Sequence, residues 1–487
     1  MDGRLEKQRR TSWLALACLV VPMFASYFFD DMFSSLSHLF ETPQLLELGW
    51  NSADYGLYTS GYSVLCVFGG LVICGMLLDK WGVRITGSVF VGMMAGGAAL
   101  VAWAITSALA PKTSLSFAYI GCMFFGLGSE IAGVAVTRSI AKWFKGRNMA
   151  FAMGLQLAVA RLGTAFALVL SPRLVAAKAP GEIYSLAETA RPAFLGLLLM
   201  LAGMVLWALF VAMDARFDKS AGLNRRAGAV LREGGTVRQD GADAATSRAE
   251  RDDGDATEPG DTGFRFPDVL KLLKNKQFLM IALLCVFFYS SIISFKKFAG
   301  AILIPRFDVP VETAGWMVSM LPFATVVFAP LFGILVDKVG KGTRWMIAGS
   351  VLALAAHLLL AFGPSGRPFF GCLGMVFLGF GYSLVPAALW PSVPKIVPDK
   401  VLGTAYSFIY WVQNLGLMFF KMSAGKILAA AQPGSGTLDS APDFCLSGAV
   451  RVEAMFVAVC VLALLCALAL GRASRRRPEL RLDAPAA

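Results

Sequence analysis

Long apolar runs separated by short polar connectors dominate the chain. Twelve runs are long enough to cross a hydrocarbon layer of about 30 Å at about 1.5 Å per residue. They cover residues 12–37, 54–78, 85–108, 115–141, 148–172, 192–213, 276–303, 312–336, 344–363, 368–394, 402–428 and 449–471. The pattern predicts an all-α integral membrane protein with twelve transmembrane helices. Between the sixth and seventh runs the pattern changes. The middle of residues 214–274 is rich in charge, Gly and Ala and almost free of large apolar residues. Such a segment cannot bury enough surface to fold and reads as a disordered cytoplasmic linker. The second half starts with FRFPDVLKLLKNKQF, which reads as a short amphipathic helix lying on the inner membrane surface. The expected organisation is an N-terminal six-helix bundle (1–213), the linker (214–274), a C-terminal six-helix bundle (275–471) and a basic cytoplasmic tail (472–487).

Composition agrees. The chain is 57% hydrophobic and 16% charged, against about 25% charged residues in soluble domains. The first apolar run is long enough to span and is not followed by a cleavage site. The net charge of +12 reads as a topology signal and not as a nucleic-acid footprint. Arg4, Lys7, Arg9 and Arg10 at one end, and Arg472, Arg475, Arg476 and Arg477 at the other, place both termini in the cytoplasm. The first outer loop carries Glu41, Glu47 and Asp54 without Lys or Arg. Nine scattered cysteines, without a CxxC, read as packing residues. No metal cluster or nucleophile–base pair is visible, so neither a cofactor nor an enzyme is expected.

Two full charges stand inside apolar runs at matched depth. Glu130 precedes, and Arg161 follows, the short basic turn Trp143 to Arg147. Helical rise puts both about 20 Å from the cytoplasmic surface, near mid-membrane. Each costs roughly 2.5–3.5 kcal/mol there without compensation. One reading is a mutual salt bridge that locks two helices. The other is a site for a zwitterion, Glu130 facing an amine and Arg161 a carboxylate, which suits the planar fork of arginine. Either way the two charges are expected close together, or bridged by water, when the site is empty.

The halves repeat one another. Gly75 to Arg84 reads GMLLDKWGVR and Gly333 to Lys341 reads GILVDKVGK, both fitting G-x-x-x-D-[RK]-x-G after the second run of each half. The glycines allow close approach and a sharp turn, and the aspartate can accept hydrogen bonds at a neighbouring helix end. By this motif pair the chain resembles the major facilitator superfamily over its whole length. The resemblance implies two bundles rocking about a central site. It implies a conformational latch from Asp79, Lys80, Gly82 and Arg84 and from Asp337, Lys338 and Gly340. Arg138, two turns from Glu130 toward the cytoplasm, reads as a gate residue.

Further stretches are similar to a narrower family, the lysosomal dipeptide uniporters. These are FASYFFDD, GSE followed by WFKG, GLQLAVARLG, GYSLVPAALWPSV and LGTAYSFIYWVQNLGL. This resemblance implies facilitated diffusion of dipeptides, with Glu130 and Arg161 taking the peptide termini. The tails carry no acidic dileucine signal and the chain no N-x-[ST] sequon. The expectation is therefore a bacterial inner membrane, a monomer with no accessory subunit implied, and a small-molecule substrate. The lipid bilayer is its other partner, and no nucleic acid is expected. Tyr27, Trp390, Gln413 and Gln156 are further candidates for binding, ahead of Tyr382, Tyr410 and Trp411. Asp30 and Asp31 read either as entrance residues or as interfacial carboxylates. Of Lys296 and Lys297, one is expected to snorkel and one to face the cavity. Lys421 is expected to snorkel, and His357 to be a packed neutral histidine. Two other readings stay open: a carrier for another small carboxylate, possibly proton-coupled, and a membrane sensor that does not transport.

Overall fold

The computed structural model describes residues 2–144, 148–179, 182–233, 272–398, 401–431, 441–476 and 482–483. In a bilayer each backbone N–H and C=O must be satisfied within its own segment, so apolar runs of this length become helices. The long ones are α1 (Asp2–Asp31), α2 (Ser52–Leu78), α3 (Lys80–Thr106), α4 (Pro111–Trp143), α5 (Met149–Leu174) and α6 (Arg191–Glu233), then α7 (Lys276–Lys297), α8 (Val311–Val339), α9 (Gly342–Phe362), α10 (Pro368–Leu389), α11 (Leu402–Ala431) and α12 (Ala441–Arg476). Eleven of the described helices are apolar and long enough to cross a membrane. The twelfth, α11, has the length at 30 residues but carries Tyr406, Tyr410, Trp411, Gln413, Asn414 and Lys421, which lower its hydropathy.

Several boundaries differ from expectation. α1 stops at Asp31, and the chain continues through a tight helical turn at Ser37–Glu41. α7 breaks at Phe298 before a short helix, Ala299–Phe307. α6 runs on to Glu233, so the linker expected from residue 214 begins as helix. The rest of that linker, 234–271, lies outside the described residues. Part of the expected tail packs instead of solvating: Leu482 is buried, and the Asp483 carboxylate accepts from Thr343 N at 2.9 Å and Ser474 Oγ at 2.8 Å.

Packing has an internal two-fold pattern. α1 touches α5 and α6, as α7 touches α11 and α12. α4 lies against α2 and α3, as α10 lies against α8 and α9. α3 meets α6, as α9 meets α12. The cross-half pairs, α2 with α11 and α5 with α8, exchange under the same relation. Small residues make these seams close, as association in lipid requires. A Cβ on Gly425 would lie 2.9 Å from Gly56 Cα. Added to Gly315 or Gly300, it would overlap the backbone of Leu168 or Ser35. All three contacts fall on the side of the Ser37–Glu41 turn, so the halves meet there. On the opposite side the motif glycines Gly75 and Gly333 face open space.

α2 is interrupted by a wider helical turn at Cys66–Gly70, where Gly69 takes φ +92°. At this break Trp411 Nε1 of α11 donates to the Val67 carbonyl at 2.7 Å.

Candidate functional site

Arg161 sits half-buried on α5. Gly163, two residues on, abuts the Phe24 carbonyl so closely that a side chain would not fit, which draws α5 onto α1. The guanidinium then lies 5.8 Å from the Tyr27 ring of α1 and 5.1 Å from the Tyr382 ring of α10. Its Nη1 donates to the Tyr382 hydroxyl at 3.2 Å. An aromatic wall continues from there. Tyr382 packs edge-on to Tyr289, Trp390 Nε1 donates to the Tyr289 hydroxyl at 3.0 Å, and Trp390 stacks on Tyr410. Cationic guanidinium against aromatic faces is a favourable arrangement that leaves its hydrogen-bond fork largely available.

Glu130 is positioned by another glycine contact. The ideal Cβ of Gly126 on α4 would overlap the Tyr62 backbone of α2. One turn further along α4, the Tyr62 hydroxyl donates to Glu130 Oε1 at 3.0 Å and lies 3.3 Å from Ser129 Oγ. Ser129 Oγ is in turn 2.5 Å from Ser26 Oγ of α1.

The two charges, expected close together or bridged by water, do not bond each other directly. No ion pair joins Glu130 and Arg161; each is held by a different tyrosine. Tyr27 of α1 stands near both, with its ring beside the guanidinium. The phenols compensate the charges separately, because rotation of α4 turns Glu130 toward α2 while Arg161 faces α10.

The other expected binding residues divide. Tyr27 and Trp390 belong to the aromatic wall. Gln156 does not join Arg161: five residues along a helix place it about 140° around the axis. Gln413 is buried at 9% exposure, and its amide oxygen accepts from the Cys285 thiol of α7, so it packs inside one half. His357 is fully buried as expected, but its Nδ1 is 2.8 Å from Glu453 Oε2, between the rings of Phe295 and Phe456. Among the described residues no His, Cys, Asp and Glu group is placed to hold a metal.

In the motif loops, Gly82 and Gly340 hold φ +76° and +67°, a conformation that glycine adopts without strain. Arg84 pairs with Asp218 at 3.1 Å and Lys142 with Asp214 at 2.9 Å, tying α3 and α4 to α6. Lys80, Asp337, Lys338 and Arg138 are exposed. The Asp79 side chain lies outside the described residues.

On the closed side, both lysines at the end of α7 meet both acids at the end of α1. Lys296 Nζ is 2.6 Å from Asp31 Oδ2. Lys297 Nζ is 3.0 Å from Asp31 Oδ1 and 2.7 Å from Asp30 Oδ2. Asp31 and Lys297 are fully buried, so neither lysine snorkels and Asp31 is no interfacial carboxylate. Thr164 Oγ1 of α5 donates to Asp31 Oδ2 at 2.7 Å. Tyr27 and Asp31 lie four residues apart on α1, Arg161 and Thr164 three apart on α5. The gate is thus one helical turn, about 5.4 Å, beyond the arginine pocket on the same two helices.

Outside the membrane, burial pushes the Glu41 carboxyl up to about 8, outweighing its bonds to Cys445 and Ser52. Burial also pushes His38 down to about 4. The partly buried Glu188 is held at about 2 by hydrogen bonds from Lys178 and Ser185.

A polar site between two helical halves, with a buried ion-pair cluster one turn beyond it, is the layout of an alternating-access carrier. Sequence comparison decides the family: the Major Facilitator Superfamily matches over residues 23–420 and 297–486. The chain belongs to the Major Facilitator Superfamily. This transporter is 29% identical over 428 residues to the lysosomal dipeptide transporter MFSD1 of Mus musculus, covering 85% of this chain and 79% of that protein. It is 30% identical over 414 residues to the Homo sapiens protein of the same name, covering 83% and 77%. Among solved structures it resembles an auto-inhibited POT family peptide transporter (TM-score 0.61, 17% identity, 95% of this chain and 97% of that one). It also resembles inward-open XylE of E. coli (TM-score 0.60, 11% identity, 92% and 95%). The latter two likenesses carry the fold. The superfamily and the relatives are transporters and not enzymes, and so is this multi-pass membrane protein.

Sequence reasoning missed Tyr62, Tyr289 and Thr164 and misread the lysines. Tyr62 had a signal, the hydroxyl-rich LYTSGYS of α2 in an otherwise apolar run. Nothing local distinguishes Tyr289 or Thr164.

Proposed function

We propose that this transporter carries dipeptides by facilitated diffusion. The observation that carries the reading is that Glu130 and Arg161 are each held by a phenol, Tyr62 and Tyr382, and neither by the other. A free peptide amine replaces a tyrosine donor at Glu130 with a charge-assisted bond, and a peptide carboxylate engages the fork of Arg161. Two residues span at most about 7 Å, which a mid-membrane acid and base can bracket. The wall of Tyr382, Tyr289, Trp390 and Tyr410 receives side chains of varied shape. The name of the lysosomal relatives agrees with this substrate class.

In this reading Glu130, Arg161, Tyr27 and Trp390 bind, and the motif loops act on conformational change. The carrier sits in a bacterial inner membrane with both termini inside. The basic residues at both chain ends support that orientation. The conformer described is then closed to the outside.

Uptake into proteoliposomes tests the function. Free dipeptides should be carried and should compete with one another. N-acetylated, C-amidated dipeptides lose both charges and should not compete. Equal competition by capped peptides refutes the two-charge site. Uptake of single carboxylates without dipeptides points to a carrier for another small carboxylate.

A further inference from the structure

Lys421 of α11 was expected to snorkel, yet it is 2% exposed. Its Nζ donates one bond of 3.3 Å to the Thr59 carbonyl of α2 and stands 5.4 Å from the centre of the Tyr62 ring. Among the described residues no carboxylate lies within ion-pairing distance of it. An ammonium has three donors to satisfy, and a buried charge without a counter-charge costs several kcal/mol. A purely structural role is a poor account of that cost. The α2–α11 seam is already closed by the contact of Gly56 with Gly425, and a neutral side chain would fill the place of Lys421 more cheaply.

The charged and titratable groups around Lys421 come from four helices. They are Asp30 of α1, Tyr62 and Cys66 of α2, Cys122 and Glu130 of α4, and Lys296 and Lys297 of α7. Asp30 is taken by Lys297 at 2.7 Å. Of the surrounding carboxylates, Glu130 alone has no cation bonded to it. The link between Glu130 and Lys421 is Tyr62, whose ring faces the ammonium and whose hydroxyl donates to the carboxylate. A cation over a phenol ring polarises it and strengthens its O–H as a donor.

We propose that Lys421 is the internal counter-cation of Glu130 in the empty carrier, acting through Tyr62, and that the substrate ammonium takes over this role on binding. The inference rests on the dipeptide reading and deepens it. A carrier that works by facilitated diffusion must return its empty site across the membrane. Without a compensating cation, the bare carboxylate opposes that return. A loaded site brings its own ammonium and does not need Lys421. Lys421 is therefore a positioning residue for the unloaded half of the cycle.

Two transport modes separate this role from a structural one. Net uptake into empty proteoliposomes requires return of the empty carrier; exchange of labelled for internal dipeptide does not. Lys421→Met should lose net uptake tenfold or more and keep exchange within about twofold of the parent, while Lys421→Arg keeps both. Lys421→Gln, of different shape but equally uncharged, should behave as Lys421→Met, and it serves if the methionine variant does not fold. Loss of both modes together in these variants, or unchanged net uptake, overturns the inference. A parent protein that moves no dipeptide in either mode overturns the dipeptide reading, and this inference with it.

Discussion

Lys297 Nζ lies 3.0 Å from Asp31 Oδ1, joining the end of α7 to the end of α1 in a fully buried ion pair. Lys296, Thr164 and Ser34 bond the same carboxylate. The pair therefore seals the halves one turn from the pocket that holds Arg161. Breaking one partner of a buried pair costs about 3–5 kcal/mol, and here the cost falls only on the conformer closed on this side. Asp31→Asn should shift the population toward the opposite conformer. The check is thiol labelling of a cysteine introduced at Ser35: labelling should rise severalfold in Asp31→Asn and in Lys297→Met. Unchanged labelling in both would remove the gate role.

Glu130 and Arg161 have separate partners, so their contributions to stability should be independent. Glu130→Gln and Arg161→Gln should each abolish dipeptide uptake, by at least tenfold. Their shifts in melting temperature should roughly sum in the double variant, because no hydrogen-bond partner is common to the two. A double variant more stable than either single one would reveal a direct ion pair and contradict the separation described here.

The motif glycines divide into two kinds. Gly82 and Gly340 occupy positive φ with extended ψ, 170° and −137°, where any other residue is strained by about 1–3 kcal/mol. Gly82→Ala and Gly340→Ala should each lower the melting temperature. Gly75 and Gly333 are helical and face open space. Alanine there should be neutral or stabilising for this conformer, since glycine inside a helix costs roughly 1 kcal/mol relative to alanine. The same two substitutions should slow transport if the glycines pack against the other half when this side closes. Melting temperature and uptake, measured for all four, check both statements.

Glu41 makes the closed side sensitive to alkali. Its folded value, about 8, is raised above the ordinary carboxylate value of 4.5. The folded state therefore holds the proton more tightly, and stability present below pH 4.5 is lost as pH rises through 8. His38 acts in the opposite sense, and only below about 6.5, because its folded value is depressed to about 4. Between pH 6.5 and 8.5 the Glu41 effect stands alone of the two. The parent should melt lower at pH 8.5 than at pH 6.5, and Glu41→Gln should lose most of that difference. An equal drop in Glu41→Gln would assign the effect elsewhere.

Much of the fold was legible because membrane helices need little from their neighbours. Apolar runs of this length have no other way to satisfy their backbone. Two boundaries fall where acids are paired across helices: α1 ends at Asp31, which bonds Lys296 and Lys297, and α6 runs on past 213, where Asp214 and Asp218 are paired with Lys142 and Arg84. The candidate site was legible in its charges but not in their partners. Charge is conspicuous in an apolar run, whereas the tyrosines that receive it resemble any other packing aromatic.

The sequence by itself determined the helices, their repeat in two halves, and the matched depth expected of Glu130 and Arg161. That expectation follows from helical rise measured out from one shared turn. Only the tertiary structure decided what each charge faces. Tyr62 and Glu130 lie 68 positions apart, Arg161 and Tyr382 lie 221 apart, and Lys296 and Asp31 lie 265 apart. Which of them meet depends on how each helix is rotated about its own axis. In a soluble helix an apolar stripe reports that rotation. In a bilayer the lipid-facing and core-facing sides are both apolar, so the rotation is set by the close contacts at Gly126, Gly163 and Gly425, which form only when the helices pack.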